Sequence, residues 1–302
     1  MLGRLGMSVE KAVTCYGTLS PSVFSNVKQT GGDGRFKASK LEKLVMDIVR
    51  EQTGKEHERM IGTPPCGKGC KTYAIYPTCV VKLTGLSFVP AMSALNMNAR
   101  IPRLFRTYQA PKHQAANCAI WEAVRATSAA PTFFKRIVID GEPYVDGGMG
   151  CNNPVQQVLQ EAELLFPDRH VACIVSIGAG QAQTIGIPKP GWFQPVLPFQ
   201  VVDAIRQIAT DCEASAQVAA QRFERTPGVY FRFNVEQGLQ EVRLEQWERL
   251  DAVRAHTGQY IRMADVDRKL DTAVASICGR QRVVPTVHTS MAAPDLCRSC
   301  LF

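Results

Sequence analysis

The spacing of apolar positions divides the first third of the chain into two helix-like stretches followed by strand-like ones. Apolar residues recur at helical spacing in "SVEKAVTCYGTLSPSVF" (8–24), where Ser8 is the predicted N-cap. They recur again in "SKLEKLVMDIVREQTG", which we predict to be capped by Ser39 and to end near Gly54. "TYAIYPTCVVKL" and "RLFRTYQA" are rich in β-forming residues and predict two strands with a long loop between them.

The middle of the chain alternates between helical and extended patterns. "NCAIWEAVRATSAAP" predicts an amphipathic helix that Pro131 prevents from continuing. "TFFKRIVI" predicts a strand, which the turn "GEP" connects to the short strand "YV". In "NNPVQQVLQEAELLFPD", Asn153 is the predicted N-cap, Pro154 the first helical residue and Gln156 a capping-box partner.

The second half begins with a continuous apolar run, "VACIVSIGAG", which is typical of a strand buried on both faces of a parallel sheet. "FQVVDAIRQIATDCEASAQVAAQRF" predicts a long helix, "VYFRFNV" a strand, and residues 241–275 two further helices. Periodicity is lost from about residue 280. Since there is neither a repeat nor an internal linker, we predict one α/β domain over residues 1–275 and a flexible C-terminal tail over 276–302.

Composition is that of an ordinary water-soluble protein, with 45% apolar and 21% charged residues among 302. No run reaches the roughly 18 apolar residues of a transmembrane segment. The N-terminus has no signal-peptide core, so we expect a cytosolic protein and leave peripheral contact with membranes open.

The net charge of +8 favours anionic surfaces, either lipid or nucleic acid. The basic residues are scattered, however, and they form no nucleic-acid-binding motif. We interpret the charge as a source of solubility and expect no nucleic-acid partner.

Eleven cysteines include two closely spaced pairs, Cys66 with Cys70 and Cys297 with Cys300. A zinc site is conceivable, but three residues separate the first pair and no histidine adjoins either pair. We interpret the pairs as parts of a loop and of the tail, and expect neither a metal nor a cofactor.

The stretch "YVDGGMGCNNPV" (144–155) carries the candidate chemistry. Asp146 lies in a Gly-rich turn between two β-forming residues and a predicted helix start, whose unpaired N–H groups favour an anion. Asp-Gly is a common turn dipeptide, so Asp146 either makes the turn or activates another group.

Three segments, in this order and spacing, resemble the C-terminal half of the patatin-like phospholipase domain. The first is "VRATSAAP" (124–131), and the last is "SIGAG" (176–180), with Ala179 where the family has threonine. Between them lie the family's Asp-Gly-Gly motif and its supporting Asn-Asn-Pro, formed here by Asp146, Gly147, Gly148, Asn152, Asn153 and Pro154. The resemblance covers most of residues 1–275, is strongest from 100 to 180, and is closest to soluble fungal and plant members.

The resemblance implies a three-layer α/β/α fold with a mostly parallel central sheet. It also implies a Ser–Asp dyad that cleaves acyl esters of lipids without a metal in the chemistry itself. Asp146 would be the proton acceptor, a serine in a Gly-x-Ser-x-Gly elbow the nucleophile, and a Gly-rich loop the oxyanion site. The substrate would be a lipid or other acyl ester. Contact with a membrane surface and with a partner chain is left open.

No Gly-x-Ser-x-Gly occurs in the 302 residues. Ser87 in "TGLSFV" lacks the second glycine, and Ser128 lies in the family's structural segment. Cys151, beside the Asp146 turn, is a conceivable substitute nucleophile. Nothing in the sequence lowers the pKa of its thiol, however, so we do not expect it to replace the serine. "TGGDGR" (30–35) lies between two helices and predicts a loop rather than an oxyanion site.

In the family the elbow opens a helix whose later part resembles residues 1–24. We therefore expect an N-terminally incomplete domain that lacks the first strand, the oxyanion loop and the elbow. On this hypothesis the parent protein is a lipid acyl hydrolase and the 302-residue chain alone is inactive. The alternative is a non-catalytic lipid- or protein-binding protein of the same fold.

Overall fold

The computed structural model describes residues 1–25, 27–28, 34–62, 73–76, 79–82, 86–111, 116–181, 212–279 and 283–286. The chain forms two compact units, Met1–Cys151 and Asn152–Phe302. Each unit combines helices with strands, and the predicted α/β class is confirmed.

The first unit has an antiparallel sheet of four strands, whose order is Arg103–Arg106, Phe88–Ser93, Glu142–Asp146 and Ile137–Ile139. Its described helices are α1 (Leu2–Leu5), α2 (Val9–Phe24), α3 (Ala38–Thr53) and α4 (Ile120–Thr127). Its described strands are β1 (Tyr73–Tyr76), β2 (Cys79–Lys82), β3 (Phe88–Ser93), β4 (Arg103–Arg106), β5 (Ile137–Ile139) and β6 (Glu142–Asp146).

The ends of α2 and α3 follow the local capping signals closely. The Ser8 hydroxyl accepts a hydrogen bond from the Lys11 backbone N–H at 3.2 Å, so the predicted N-cap is confirmed. Gly54 ends α3 in the left-handed conformation with φ 77°, also as predicted. At its start, α3 extends past the predicted cap Ser39 to Ala38, which is buried in the core.

Two strand predictions change once pairing is known. "TYAIYPTCVVKL" is not one strand: β1 and β2 pair with each other antiparallel, with Tyr76 opposite Cys79. Pro77 has no N–H to donate, which disfavours an uninterrupted strand. The predicted strand "TFFKRIVI" shortens to β5, while Phe133 and Phe134 are buried in the core.

The central strand β3 lies where the sequence predicted a long loop. Pro90 in its middle argues against a strand paired on both sides. The ladder between β3 and β6 starts at Ala91, so Pro90 lies just outside it and faces only β4, opposite Leu104. The proline therefore breaks no hydrogen bond with β6.

The antiparallel sheet differs from the mostly parallel sheet that the family resemblance implied. Residues 94–102 join β3 to β4, and Asp140 and Gly141 join β5 to β6. Connections this short join antiparallel neighbours, because parallel strands need a crossover of a dozen or more residues. Parallel pairing is found instead in the second unit.

Helix α4 is the central helix of the first unit and contacts β3, β5, β6 and α3. Its alanines Ala123 and Ala126, and Ala129 just beyond its end, are fully buried, so the backbone of this segment packs closely on its neighbours. Phe24, Phe36, Phe133 and Phe134 form an aromatic cluster in the same core.

The second unit is built around two parallel strands, Ile174–Ile177 and Tyr230–Phe233, with Ser176 opposite Arg232. Its described helices are α5 (Val155–Leu165), α6 (Glu213–Arg222), α7 (Leu250–Ile261) and α8 (Ala264–Gly279). Its described strands are β7 (His170–Val171), β8 (Ile174–Ile177), β9 (Tyr230–Phe233) and β10 (Val284–Pro285), with β7 and β10 antiparallel.

Strand β8 departs from its prediction. Val175 is 41% and Ile177 79% exposed, so the run "VACIVSIGAG" is not buried on both faces. Its other side chains, Ile174 and Ser176, are buried. Only β9 pairs with β8 among the described residues, which explains why this apolar strand remains partly exposed.

The predicted tail, 276–302, is described only in part. Residues 276–279 complete α8, and β10 pairs with β7. The Thr286 hydroxyl donates a hydrogen bond to the Phe166 carbonyl. None of the helices within the described residues has the length and apolar character needed to cross a bilayer.

Candidate active site

Asp146 is the last residue of β6 and lies opposite Ala91 of β3. Its backbone N–H donates a hydrogen bond to the carbonyl of Ala129 at 3.1 Å. The turn at Asp146 is therefore tied on one side to the sheet and on the other to the "VRATSAAP" segment. Two of the three segments singled out in the sequence meet at this point.

The glycines of the turn are required by space and by backbone conformation. A Cβ on Gly147 would lie 2.4 Å from the Pro90 carbonyl oxygen, which no side chain tolerates. Gly150 has φ 137°, a conformation that favours glycine. The Cys151 N–H donates to the Gly147 carbonyl at 2.8 Å and closes a distorted helical turn, Gly148–Cys151.

One carboxylate oxygen of Asp146, Oδ1, accepts a hydrogen bond from the Gly148 N–H at 2.6 Å. Oδ2 has no hydrogen-bond partner among the residues that the structure describes. Burial raises the pKa of Asp146, and the bond from Gly148 offsets part of that rise. Asp146 thus makes the turn and also presents a second oxygen of increased basicity.

Arg125 anchors α4 in the core, a role that the sequence did not predict. Its side chain is fully buried, and its Nε donates to the Glu42 carboxylate of α3 at 3.0 Å. Nη2 donates to the Lys135 carbonyl at 2.9 Å, and the guanidinium lies over the Phe134 ring at 5.8 Å. The available signal was a charged residue within an alanine-rich helix, since such a residue needs a partner when buried.

Neither serine considered as a nucleophile lies in a strand-to-helix elbow. Ser87 precedes β3, and its backbone N–H and carbonyl both bond to Thr107, at 3.1 and 2.9 Å. Ser128 is the C-cap of α4. Residues 30–33 of "TGGDGR" lie outside the described residues.

Cys151 is no better placed for nucleophilic chemistry. Its side chain is buried, and burial raises the pKa of the thiol to about 11. A thiol with this pKa is almost entirely protonated at neutral pH and is therefore a poor nucleophile.

Asn152, Asn153 and Pro154 open the second unit. The Asn153 side chain accepts a hydrogen bond from the Val155 N–H at 3.3 Å and donates to the Cys212 carbonyl at 3.3 Å. Pro154 is the N-cap of α5, so Asn153 stands one position earlier than predicted. Asn153 nevertheless satisfies a backbone donor at the helix start, as a cap does.

A partly buried polar network holds the "SIGAG" segment in the second unit. The Ser176 hydroxyl accepts from Arg232 at 3.1 Å, and the Gly180 N–H donates to the Asn234 side-chain oxygen at 2.8 Å. Glu213 accepts from both Arg232 and Asn234, at 2.8 and 2.9 Å. Sequence reasoning missed these partners because they come from α6, from β9 and from Asn234 just after β9, more than thirty positions away.

The two cysteine pairs considered as a zinc site, Cys66 with Cys70 and Cys297 with Cys300, fall outside the described residues. Within the described part of the chain, no cluster of three or more His, Cys, Asp or Glu side chains is arranged to hold a metal ion.

The family model and the individual proteins that this chain is similar to are all phospholipases. The model of the patatin-like phospholipase family matches residues 12–159, which include both "VRATSAAP" and the Asp146 turn. Phospholipase A I of Arabidopsis thaliana is 33% identical over 124 residues, covering 41% of this chain and 9% of that protein. Calcium-independent phospholipase A2-gamma of Mus musculus is 26% identical over 198 residues, covering 61% of this chain and 23% of that protein. The 85/88 kDa calcium-independent phospholipase A2 of Rattus norvegicus is 23% identical over 197 residues, covering 52% of this chain and 24% of that protein. The chain thus spans no more than about a quarter of the length of these relatives.

Proposed function

Because residues 12–159 match the patatin-like phospholipase family, we propose that the chain forms the base-carrying part of a lipid acyl hydrolase. In this proposal Asp146 is the general base of a Ser–Asp dyad. The substrates are acyl esters of lipids. The supporting comparisons are with phospholipases from a plant and from rodents.

The observation that carries the proposal is the asymmetric environment of the Asp146 carboxylate. Oδ1 is held by the Gly148 N–H at 2.6 Å, which fixes the orientation of the group. Oδ2 has no partner within the described residues, and burial raises the carboxyl pKa, so this oxygen is suited to accept a proton. A serine hydroxyl is a poor nucleophile until such a base removes its proton.

The proposed reaction has two steps. The serine oxygen attacks the ester carbonyl and transfers its proton to Asp146; the tetrahedral intermediate then collapses, and the departing alcohol takes that proton. This leaves an acyl-serine and the ionised Asp146. Water, deprotonated by Asp146, next attacks the acyl carbonyl, releasing the fatty acid and returning the proton to the serine.

The serine and the oxyanion donors of this reaction have no counterpart in the described site. Ser87 lies ahead of β3, where its backbone N–H bonds to Thr107, and not at the start of a helix. The Ser176 hydroxyl accepts a hydrogen bond from Arg232. Since the 302 residues also contain no Gly-x-Ser-x-Gly, we assign the nucleophile to sequence outside them. The chain by itself is then expected to bind lipid without hydrolysing it.

The second candidate function is a lipid- or protein-binding role without catalysis. The absence of Gly-x-Ser-x-Gly favours it, as does Ala179, which stands where the family has threonine. The preserved Asp-Gly-Gly turn favours the hydrolase instead, because a binding protein has no need for an acid with an open, basic oxygen.

Reading the native transcript upstream of Met1 separates the two candidates. An open frame that adds a Gly-rich loop and a Gly-x-Ser-x-Gly would support the hydrolase, and the longer protein should react with a fluorophosphonate at that serine. Transcripts with a stop codon directly before Met1 would contradict the hydrolase proposal. The 302-residue chain should not react with the fluorophosphonate at any serine, and stoichiometric labelling of one would overturn the assignment of the nucleophile.

A further inference from the structure

We propose that the loop between β3 and β4, residues 94–102, is a docking tip that inserts into the headgroup region of a phospholipid bilayer. The proposal rests on the proposed function, because a lipid acyl hydrolase has to meet its substrate at a membrane surface. It adds the surface through which the contact is made.

The 94–102 loop exposes two aliphatic side chains to water. Leu95 and Ile101 are each 75% exposed, and among the large hydrophobic residues that the structure describes only Ile177 is more exposed. A few residues further along, Leu104 and Phe105 are buried, so the sheet itself is covered while the loop is not. Removal of these two side chains from water would favour insertion into an apolar phase.

The loop is a built structure rather than an unordered connection. The Asn96 side chain accepts a hydrogen bond from the Ala99 N–H at 3.3 Å, and the Arg100 N–H donates to the Met97 carbonyl at 3.2 Å. These bonds close a 3₁₀ turn, Met97–Ala99, between the two aliphatic residues. Because the loop is already ordered, insertion loses less conformational entropy.

The charge around the loop matches an anionic lipid surface. Residues 86–111 contain Arg100, Arg103 and Arg106 and no acidic residue. Arg106 is buried. The pKa of Glu142 is lowered by hydrogen bonds from Ser93 and Tyr144 and, to a smaller extent, by the charge of Arg103. Arg100 is exposed and has no acidic partner within the described residues. An arginine beside inserted aliphatic side chains can keep its guanidinium at the level of the phosphates.

A bilayer suits this surface better than a second protein does. A stable protein–protein interface takes roughly 800 Å² and 20–30 residues from each partner. The 94–102 loop offers two aliphatic side chains and one arginine. Peripheral membrane binding can start from such a small apolar insertion when charge attraction adds to it.

The sheet connects the loop to the proposed base. Ala91 of β3 lies opposite Asp146, and the loop begins three residues beyond Ala91. Leu95 is thus at most roughly 18 Å from Asp146 along the extended strand and across one strand pair. A docked loop would hold the Asp146 strand within the length of a phospholipid from the bilayer surface.

The test is flotation of the full 302-residue chain with vesicles of phosphatidylcholine, with or without phosphatidylserine. Leu95→Ala with Ile101→Ala should weaken partition about tenfold on both kinds of vesicle. Arg100→Gln should weaken partition severalfold, and only on the vesicles that contain phosphatidylserine. The matched controls, Leu244→Ala at a 60% exposed leucine and Arg254→Gln at a 68% exposed arginine, should bind like the wild type.

A second measurement remains decisive if the double variant misfolds. The fluorescence that Leu95→Trp adds to that of the three native tryptophans should be quenched by vesicles of brominated phosphatidylcholine, and the fluorescence that Leu244→Trp adds should not. Equal partition of all variants, or equal quenching at both sites, would overturn the proposal. So would a double variant that loses self-association in sedimentation without any change in vesicle partition, because the loop would then contact a second copy.

Failure of this inference and failure of the proposed function can be told apart. Asp146→Asn should leave flotation unchanged, since Asp146 lies outside the loop. Loss of vesicle binding in the loop variants would therefore support docking even if no acyl hydrolysis is ever found. Hydrolysis that depends on Asp146, with vesicle binding insensitive to the loop, would retain the function and reject docking.

Discussion

Asp146 and Ala129 are joined by a backbone hydrogen bond of 3.1 Å, although 17 positions separate them in the sequence. The bond couples the turn that carries the proposed base to the end of α4. The position of Asp146 therefore depends on whatever holds α4 in the core, and Arg125 is the side chain that does so most directly.

The Arg125–Glu42 pair should contribute much more to stability than a surface pair of the same length. Glu42→Gln leaves a fully buried guanidinium without its counter-charge, and we expect a loss of about 2–3 kcal/mol in the free energy of unfolding. Lys11 and Glu51 also lie 3.0 Å apart but are exposed, so Glu51→Gln should cost less than about 0.5 kcal/mol. Urea unfolding of the two variants measures the difference, and equal losses would contradict the anchoring role of Arg125.

Gly147 should not tolerate a side chain. Gly147→Ala places a methyl group 2.4 Å from the Pro90 carbonyl oxygen, and we expect a loss of about 1–3 kcal/mol as β3 and the turn separate. The control is Gly17→Ala within α2, where nothing lies within 4 Å; it should raise stability by about 0.5–1 kcal/mol. Thermal unfolding followed by circular dichroism distinguishes the two, and a neutral Gly147→Ala would show that the turn is looser than described.

Asp146→Asn should stabilise the fold at neutral pH, and the gain should disappear in acid. Burial raises the pKa of Asp146 above its usual 3.8, so the folded chain binds this proton more tightly than the unfolded chain does. The stability from this group is thus present in full below pH 3.8 and is lost as the pH rises through the folded-state pKa. At pH 7 the buried carboxylate is destabilising, and asparagine removes that charge while its side-chain oxygen can still accept from Gly148.

The melting temperatures of wild type and Asp146→Asn should therefore converge as the pH is lowered toward 3.8. A gap that stays constant with pH, or one that widens in acid, would mean that the Asp146 carboxylate is not desolvated. Asp140→Asn, the same change at an exposed turn residue, is the matched control.

The buried thiols should be inert in the folded chain. Burial raises the pKa of Cys118 to about 12 and that of Cys151 to about 11, and both side chains are almost inaccessible. Maleimide at pH 7 should label the exposed Cys278 at least about 100-fold faster than either. Peptide mass spectrometry assigns the labelled sites. Labelling of Cys151 as fast as that of Cys278 would show that the Asp146 turn opens readily.

Local signals predicted what depends on a few neighbouring residues. Ser8 caps α2 and Gly54 closes α3 because each acts on backbone groups within a turn of itself. Long-range pairing could not be predicted in the same way. The sequence predicted a loop where β3 lies. Pro90 is unfavourable inside a strand, and only the start of the β6 ladder at Ala91 shows why it is tolerated.

The candidate site likewise combines local features, which the sequence predicts, with long-range contacts, which it does not. Asp146 and its glycines form a local motif that the sequence displays directly. Their partners are distant: the Ala129 carbonyl, and the Pro90 carbonyl that excludes a Cβ at Gly147. The exposure of Ile177 also depends on which strands pair with β8, a property that an apolar run of residues does not specify.

The role of Asp146 as the base is tested most directly by the rate of acyl ester hydrolysis when Asp146 is changed. The chain preceded by a segment carrying Gly-x-Ser-x-Gly should release fatty acid from phospholipid. Asp146→Asn should reduce that rate by about 10²–10⁴-fold, the usual contribution of a general base, while Asp140→Asn leaves it unchanged. An Asp146→Asn variant that hydrolyses the ester at the wild-type rate would contradict the claim that Asp146 is the base.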